Sequence, residues 1–287
     1  MKKYLFIVLG IVLLCTGCFK RDSMEDITIY TSVYPIEYIT TRLYGDNAKI
    51  SSIYPNGIIV DKYTLTEKQL DDYSKADLFI FNGLSSEKDY IKPMFSKNKN
   101  LKIIDATSSI EYENKMEEIW LDPSNFLMIA QNIKLGFDEY ITNQYLLNEI
   151  EENYKQLKID VSSLDAKIQT MIEKAKDKRI VVTNSLFKYL EKYNFEVISL
   201  DENETALDKN ITTVKNMIKK GELKYIYSLK NEDTSEIVSN LIEGSDVKIL
   251  EFHSLSNIDD AEKKSKKDYL SIMNENIELL KEQYSHS

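Results

Sequence analysis

Histidine and cysteine are scarce in this chain, with two of each among 287 residues. Two histidines cannot build a three-histidine zinc site. Two cysteines exclude a four-cysteine zinc site and a disulfide framework. Glycine is rare as well, at eight residues, and neither GxGxxG nor the P-loop pattern occurs. The chain therefore offers no glycine-rich phosphate cradle. Basic residues are outnumbered, 37 Lys and Arg against 47 Asp and Glu, for a formal charge of −10. A phosphate backbone needs a basic surface, so nucleic acid is excluded as a partner. What remains is 43% hydrophobic and 29% charged, an ordinary globular balance. The length suits one large domain or two of ordinary size.

The N-terminus reads as an address. Lys2 and Lys3 precede an apolar run from Tyr4 to Leu14, too short to span a bilayer comfortably. Cys15-Thr16-Gly17-Cys18 follows and resembles a bacterial lipobox, although Cys15 stands where leucine is usual. The expectation is a signal peptide over 1–17, cleavage before Cys18, lipid on Cys18 and a tether over 18–26. An uncleaved membrane anchor is the alternative. Cleavage would remove Lys2 and Lys3 and take the formal charge from −10 to −12. It would also leave no free thiol, which suits an oxidising exterior. Lys20 and Arg21 would sit at anionic lipid heads.

The body alternates between strands and helices. Strands are expected at Ile27–Val33, Ala48–Ile53, Leu78–Phe81 and Leu101–Ile104, with helices at 35–43 and after an N-cap at Thr66. From Pro123 the pattern turns helical, with a break near Thr142-Asn143. Its second part carries Leu146, Ile150, Tyr154, Leu157, Val161, Leu164, Ile168, Met171 and Ala175 at steps of three and four. That stripe describes a helix of roughly thirty residues, or about 45 Å. It reads either as a rigid strut between two lobes or as half of a coiled-coil dimer. The α/β rhythm then returns, with strands at 179–183, 196–200, 223–227 and 247–252, helices between them, and a final helix over 266–284. The fold class is α/β: two doubly wound parallel-sheet lobes, 27–143 and 179–287, joined by one long rigid helix over 144–178. A ligand cleft is expected between the lobes, because such folds bind at the carboxyl ends of their strands.

Particular segments then carry a resemblance. They are Thr31-Ser32-Val33-Tyr34-Pro35, Pro55-Asn56-Gly57 with Tyr63, and Lys75-Ala76-Asp77-Leu78-Phe79-Ile80-Phe81-Asn82-Gly83. Next come Ile119-Trp120-Leu121-Asp122-Pro123, Val181-Val182-Thr183 and Asp268-Tyr269-Leu270-Ser271-Ile272-Met273. In order and spacing the chain resembles the solute-binding lipoproteins of zinc- and manganese-type ABC importers. The resemblance implies a metal-ion receptor on the extracytoplasmic face of a bacterial cell membrane. It would be lipid-anchored and monomeric, would serve a permease with a cytoplasmic ATPase, and would catalyse no reaction.

The family draws its metal ligands from four places, and this chain departs at each. Asp61 and Glu118 stand where histidines are usual, and Asn184 stands where histidine or glutamate is usual. His253 stands where a carboxylate is usual. The resemblance thus implies a metal site of Asp61, Glu118, Asn184 and His253, carrying charge −2 with the histidine neutral. Such an oxygen-rich set favours Mn2+ or Fe2+, or else Ca2+ or Mg2+, over tetrahedral Zn2+. The stretch 111–118 has four glutamates and no histidine, unlike the His-rich loop of many zinc importers. Two other readings stay open: a receptor of the same fold for a non-metal solute, and a surface adhesion or sensory lipoprotein with a degenerate site.

Overall fold

The computed structural model describes residues 24–111 and 118–282. The expected signal peptide, Cys18, most of the loop at 111–118 and His286 lie outside them. Among the described residues, no helix is long and apolar enough to cross a membrane.

Lobe one is a sheet of β1 (Ile27–Thr31), β2 (Ala48–Ser52), β3 (Leu78–Phe81) and β4 (Lys102–Asp105). All pairings are parallel, in the order β2-β1-β3-β4. Both middle strands follow from their patterns. β1 alternates buried and half-buried residues, whereas β3, Leu-Phe-Ile-Phe, is buried throughout. A strand covered on both faces is apolar at every position. Helices α1 (Tyr34–Tyr44), α2 (Glu67–Tyr73) and α3 (Ile91–Lys97) connect the strands. Thr66 caps α2 in a reciprocal box with Gln69, satisfying two orphan backbone donors.

Lobe two repeats the plan with β5 (Arg179–Val182), β6 (Glu196–Ser199), β7 (Tyr225–Leu229) and β8 (Lys248–Phe252), in the order β6-β5-β7-β8, and with helices α6 (Leu207–Lys220) and α7 (Glu236–Ile242). The segment read as a helix after β5 is instead a 3-10 run, Ser185–Tyr193, closed by Asn194 at φ 66°. The other strand ends shift by a residue or two from the expected ones.

Between the lobes lie α4 (Pro123–Tyr140) and α5 (Gln144–Lys174). Asp122 caps α4 and Pro123 opens it, while Asn143 caps α5 through the amides of Tyr145 and Leu146. The break read near Thr142-Asn143 is therefore a real helix boundary. Every stripe residue from Leu146 to Met171 is buried, and α5 packs on α4, α1 and the terminal helix α9 (Tyr269–Glu282). Each such side chain contributes roughly 1.5–3 kcal/mol. The stripe is thus covered within the chain, as a strut requires.

A strap across the lobes begins after β8. Trp120 Nε1 donates to Ser254 O at 2.8 Å, and Tyr34 N donates to Ser256 O at 3.1 Å. Gly57 N reaches Asn257 Oδ1 at 2.6 Å, Asn257 Nδ2 reaches Pro55 O at 3.0 Å, and Asn56 Nδ2 reaches Asp260 Oδ1 at 2.8 Å. Leu255, fully buried inside the strap, has φ 64°. That backbone costs on the order of 1 kcal/mol for a residue with a Cβ, and the lobe-one contacts hold it. Tyr269, at the start of α9, stacks on Phe126 of α4 at 3.8 Å and donates to Trp120 O at 2.7 Å.

Candidate metal-binding cleft

In each sheet the connections reverse direction between the two central strands. Side chains just past those strand ends therefore point into a crevice no helix fills. The two crevices meet in one cleft of about 740 Å3. Asp61, Glu118, Asn184 and His253 all line it. Asp61 is exposed on a 3-10 turn, Val60–Lys62, that follows the Pro55-Asn56-Gly57 turn. Glu118 is half-buried immediately ahead of the turn Ile119–Leu121, whose Trp120 is locked in the core. Both also line a recess of about 100 Å3 floored by Tyr54, Glu87 and Tyr90.

Lobe two holds its two residues differently. Asn184 stands two residues past the end of β5 and caps the 3-10 run, its Oδ1 accepting Leu186 N at 2.8 Å. Its Nδ2 donates to Glu232 Oε1 at 3.2 Å. His253 follows β8 directly. Its Nδ1 accepts Leu255 N at 2.9 Å, so the proton of the neutral ring sits on Nε2. Nε2 faces Glu262 Oε1 at 3.2 Å. Burial holds the His253 pKa below its ordinary value; Glu262 opposes that shift and Lys230 adds to it. Both ring nitrogens are engaged, and a metal bond to either would displace a present partner. Among the described residues, no three His, Cys, Asp or Glu side chains converge closely enough to hold an ion.

Sequence reasoning missed three cleft residues. Glu232 accepts from Thr183, Asn184, Ser228 and Leu229 N, joining the ends of the two central strands of lobe two. Lys230 reaches Glu262 Oε1 at 2.6 Å and Asp259 Oδ2 at 3.2 Å. Glu262 is buried in the capping box of the short helix α8 (Asp260–Lys264). Lys230 and Glu232 stand in no motif, and their only signal was position, one and three places beyond the central strand β7. Glu262 carried a local signal, the Asp259-to-Glu262 capping-box spacing. Among the described residues, seven acidic side chains and two lysines line the cleft, which favours a cation.

The fold agrees with known proteins. The Zn(II)-bound ZnuA-like domain of Streptococcus pneumoniae AdcA superposes with TM-score 0.74 at 21% identity, covering 91% of this chain and all of that one. The metal-dependent lipoprotein YcdH of Bacillus subtilis gives 0.75 at 20% identity, over 90% of this chain and 98% of that one. In sequence, the zinc-binding protein AdcA of Streptococcus pyogenes serotype M6 is 23% identical over 294 residues, 89% of this chain and 55% of that protein. A metal ABC transporter substrate-binding lipoprotein of Lactococcus lactis is 26% identical over 249 residues, 77% of this chain and 78% of its own. The chain spans about half the length of the AdcA proteins it matches. Where these names specify an ion it is zinc, so the preference for Mn2+ or Fe2+ read from the four slots has no support among them. The family model for zinc-uptake complex component A, periplasmic (ZnuA), matches residues 29–283, through both lobes and the strut, and the chain belongs to that family.

Proposed function

We propose that this protein is the solute-binding component of a divalent-metal importer. It takes a metal ion into the interlobe cleft and hands it to a membrane permease driven by a cytoplasmic ATPase. Its work is binding, not catalysis. A lipid at Cys18 would hold it at the extracytoplasmic face of the membrane. The observation that carries this reading is a shared cleft: Asp61 and Glu118 from lobe one, Asn184 and His253 from lobe two, under a surplus of acidic side chains. The oxygen-rich slots argue for Mn2+ or Fe2+, whereas the relatives named for zinc make Zn2+ the first ion to test. Chelator-stripped protein titrated calorimetrically with Zn2+, Mn2+ and Fe2+ should bind one ion per chain. Asp61→Asn and Glu118→Gln should each weaken that binding about tenfold or more, a loss of about 1.4 kcal/mol. No binding by the wild type, or unchanged binding in both variants, would refute the reading.

A further inference from the structure

Asparagine is a poor helix former, and a buried amide costs free energy unless its donors and acceptor are met. Asn276 nevertheless stands in the middle of α9, 1% exposed, within the apolar stripe of Ile272, Met273, Ile277 and Leu280. A polar residue set against both local preference and the surrounding pattern points to a task.

Its partners show the task. Asn276 Oδ1 accepts from His253 N at 3.0 Å, and its Nδ2 donates to His253 O at 2.9 Å. One side-chain amide thus exchanges both bonds with one backbone residue, as a paired residue of a neighbouring strand would. β8 is an edge strand, and on its inner side Phe252 O accepts from Lys230 N. Asn276 takes the place of a further strand one residue beyond β8.

Two features of the cleft begin at His253. Its ring is held between Leu255 N, 2.9 Å from Nδ1, and Glu262 Oε1, 3.2 Å from Nε2. Its backbone opens the strap, of which Ser254, Ser256, Asn257, Asp259 and Glu262 line the cleft. Trp120 and Tyr34 grip that strap from lobe one. All of these bonds depend on where the His253 peptide sits. Without the clamp its N–H and C=O lose both Asn276 bonds, and a peptide that turns towards water carries the ring with it.

We propose that Asn276 is a positioning residue for the metal cleft. From α9 it fixes the His253 backbone, which keeps the ring between Leu255 N and Glu262 and the strap on its course to lobe one. Asn276 is not among the residues that line the cleft, so it acts through His253. The inference rests on the metal-receptor reading and adds to it a residue behind the cleft wall.

The test uses the full chain, stripped of metal, as wild type, Asn276→Ala and Leu78→Ala. Leu78→Ala is the control, because it empties a fully buried position at the start of β3 in the other lobe and lowers stability by itself. Ring-nitrogen NMR at about pH 8, above the ordinary histidine range, reads the tautomer of His253. Calorimetry reads Zn2+ affinity. In the wild type the ring proton should sit on Nε2. Asn276→Ala should populate both tautomers and bind Zn2+ about tenfold or more weakly, the loss typical of a residue supporting a metal site. Leu78→Ala should keep the wild-type ring signal and affinity. An unchanged ring signal or an unchanged affinity in Asn276→Ala, or equal changes in Leu78→Ala, would overturn the inference. Should Asn276→Ala not fold, Asn276→Asp takes its place, keeping an acceptor for His253 N and losing the donor to His253 O. A wild-type His253 amide that exchanges as fast as an open peptide overturns the inference without any variant. If the wild type binds no Zn2+, the metal-receptor reading fails, and the ring and amide signals still decide whether Asn276 positions His253.

Discussion

Replacing Lys230 by methionine isolates the charge network that holds one wall of the cleft. Methionine keeps most of the aliphatic stem and removes the ammonium that sits 2.6 Å from Glu262 and 3.2 Å from Asp259. Glu262 is only 9% exposed, so its carboxylate would lose a charge-assisted hydrogen bond with little water to replace it. Such a loss costs about 1.5–3 kcal/mol when buried. The Lys230 side chain is 33% exposed and its partner Asp259 38%, which screens part of that interaction. We therefore expect about 1–2 kcal/mol of destabilisation at neutral pH.

The pH dependence gives this prediction its sign. Burial pushes the Glu262 carboxyl up, but the amide at Asp259, Lys230 and His253 together hold it below 4.5. A carboxyl depressed in the folded state contributes stability that is present above its unfolded value and lost as pH falls through its folded value. The deficit of Lys230→Met should therefore be full at pH 7 and shrink towards zero once Glu262 protonates, at pH below 4.5. Urea unfolding at a series of pH values measures this directly. His253 gives an independent readout, because Lys230 helps to depress its pKa. In the variant that pKa should rise, and with only two histidines in the chain its ring signal is easily followed by NMR titration. A destabilisation that stays constant from neutral to acid pH, or none at pH 7, would show that Lys230 does not hold Glu262 as argued.

Other perturbations probe the scaffold. Leu157→Ala, at a fully buried position midway along α5, should cost about 2–5 kcal/mol in urea unfolding, as for other large-to-small core changes. Gly136→Ala should also destabilise, by about 1–3 kcal/mol, because a Cβ there would lie 2.5 Å from Ile104 of β4. A helix former in the middle of α4 would otherwise be expected to stabilise, so unfolding with an unchanged midpoint would refute that contact. Trp120, the sole tryptophan, is 2% exposed and bonded to Ser254 O in the cleft strap. Its emission should be blue-shifted in the folded protein and should change when Zn2+ enters the cleft. An emission indifferent to Zn2+ at saturating occupancy would mean that the strap does not respond to the guest.

The sequence alone determined the architecture, because strands and helices announce themselves through local periodicity. The all-apolar Leu78–Phe81, the three-and-four stripe of α5 and the caps at Thr66, Asp122 and Asn143 are each written within a few residues. Boundaries were less legible where a 3-10 run and an α-helix share the same hydrophobic pattern, as at Ser185–Tyr193. The resemblance also named Asp61, Glu118, Asn184 and His253, four residues that line one cleft. What only the tertiary structure decided is what each of them is bonded to. Asn184 is spent as a cap because Glu232, 48 residues away, takes its amide. His253 is spent because a turn in the strap aims Leu255 N at one nitrogen and Glu262 at the other. A side chain's identity is local, but whether its lone pair is free depends on partners that folding brings from elsewhere in the chain.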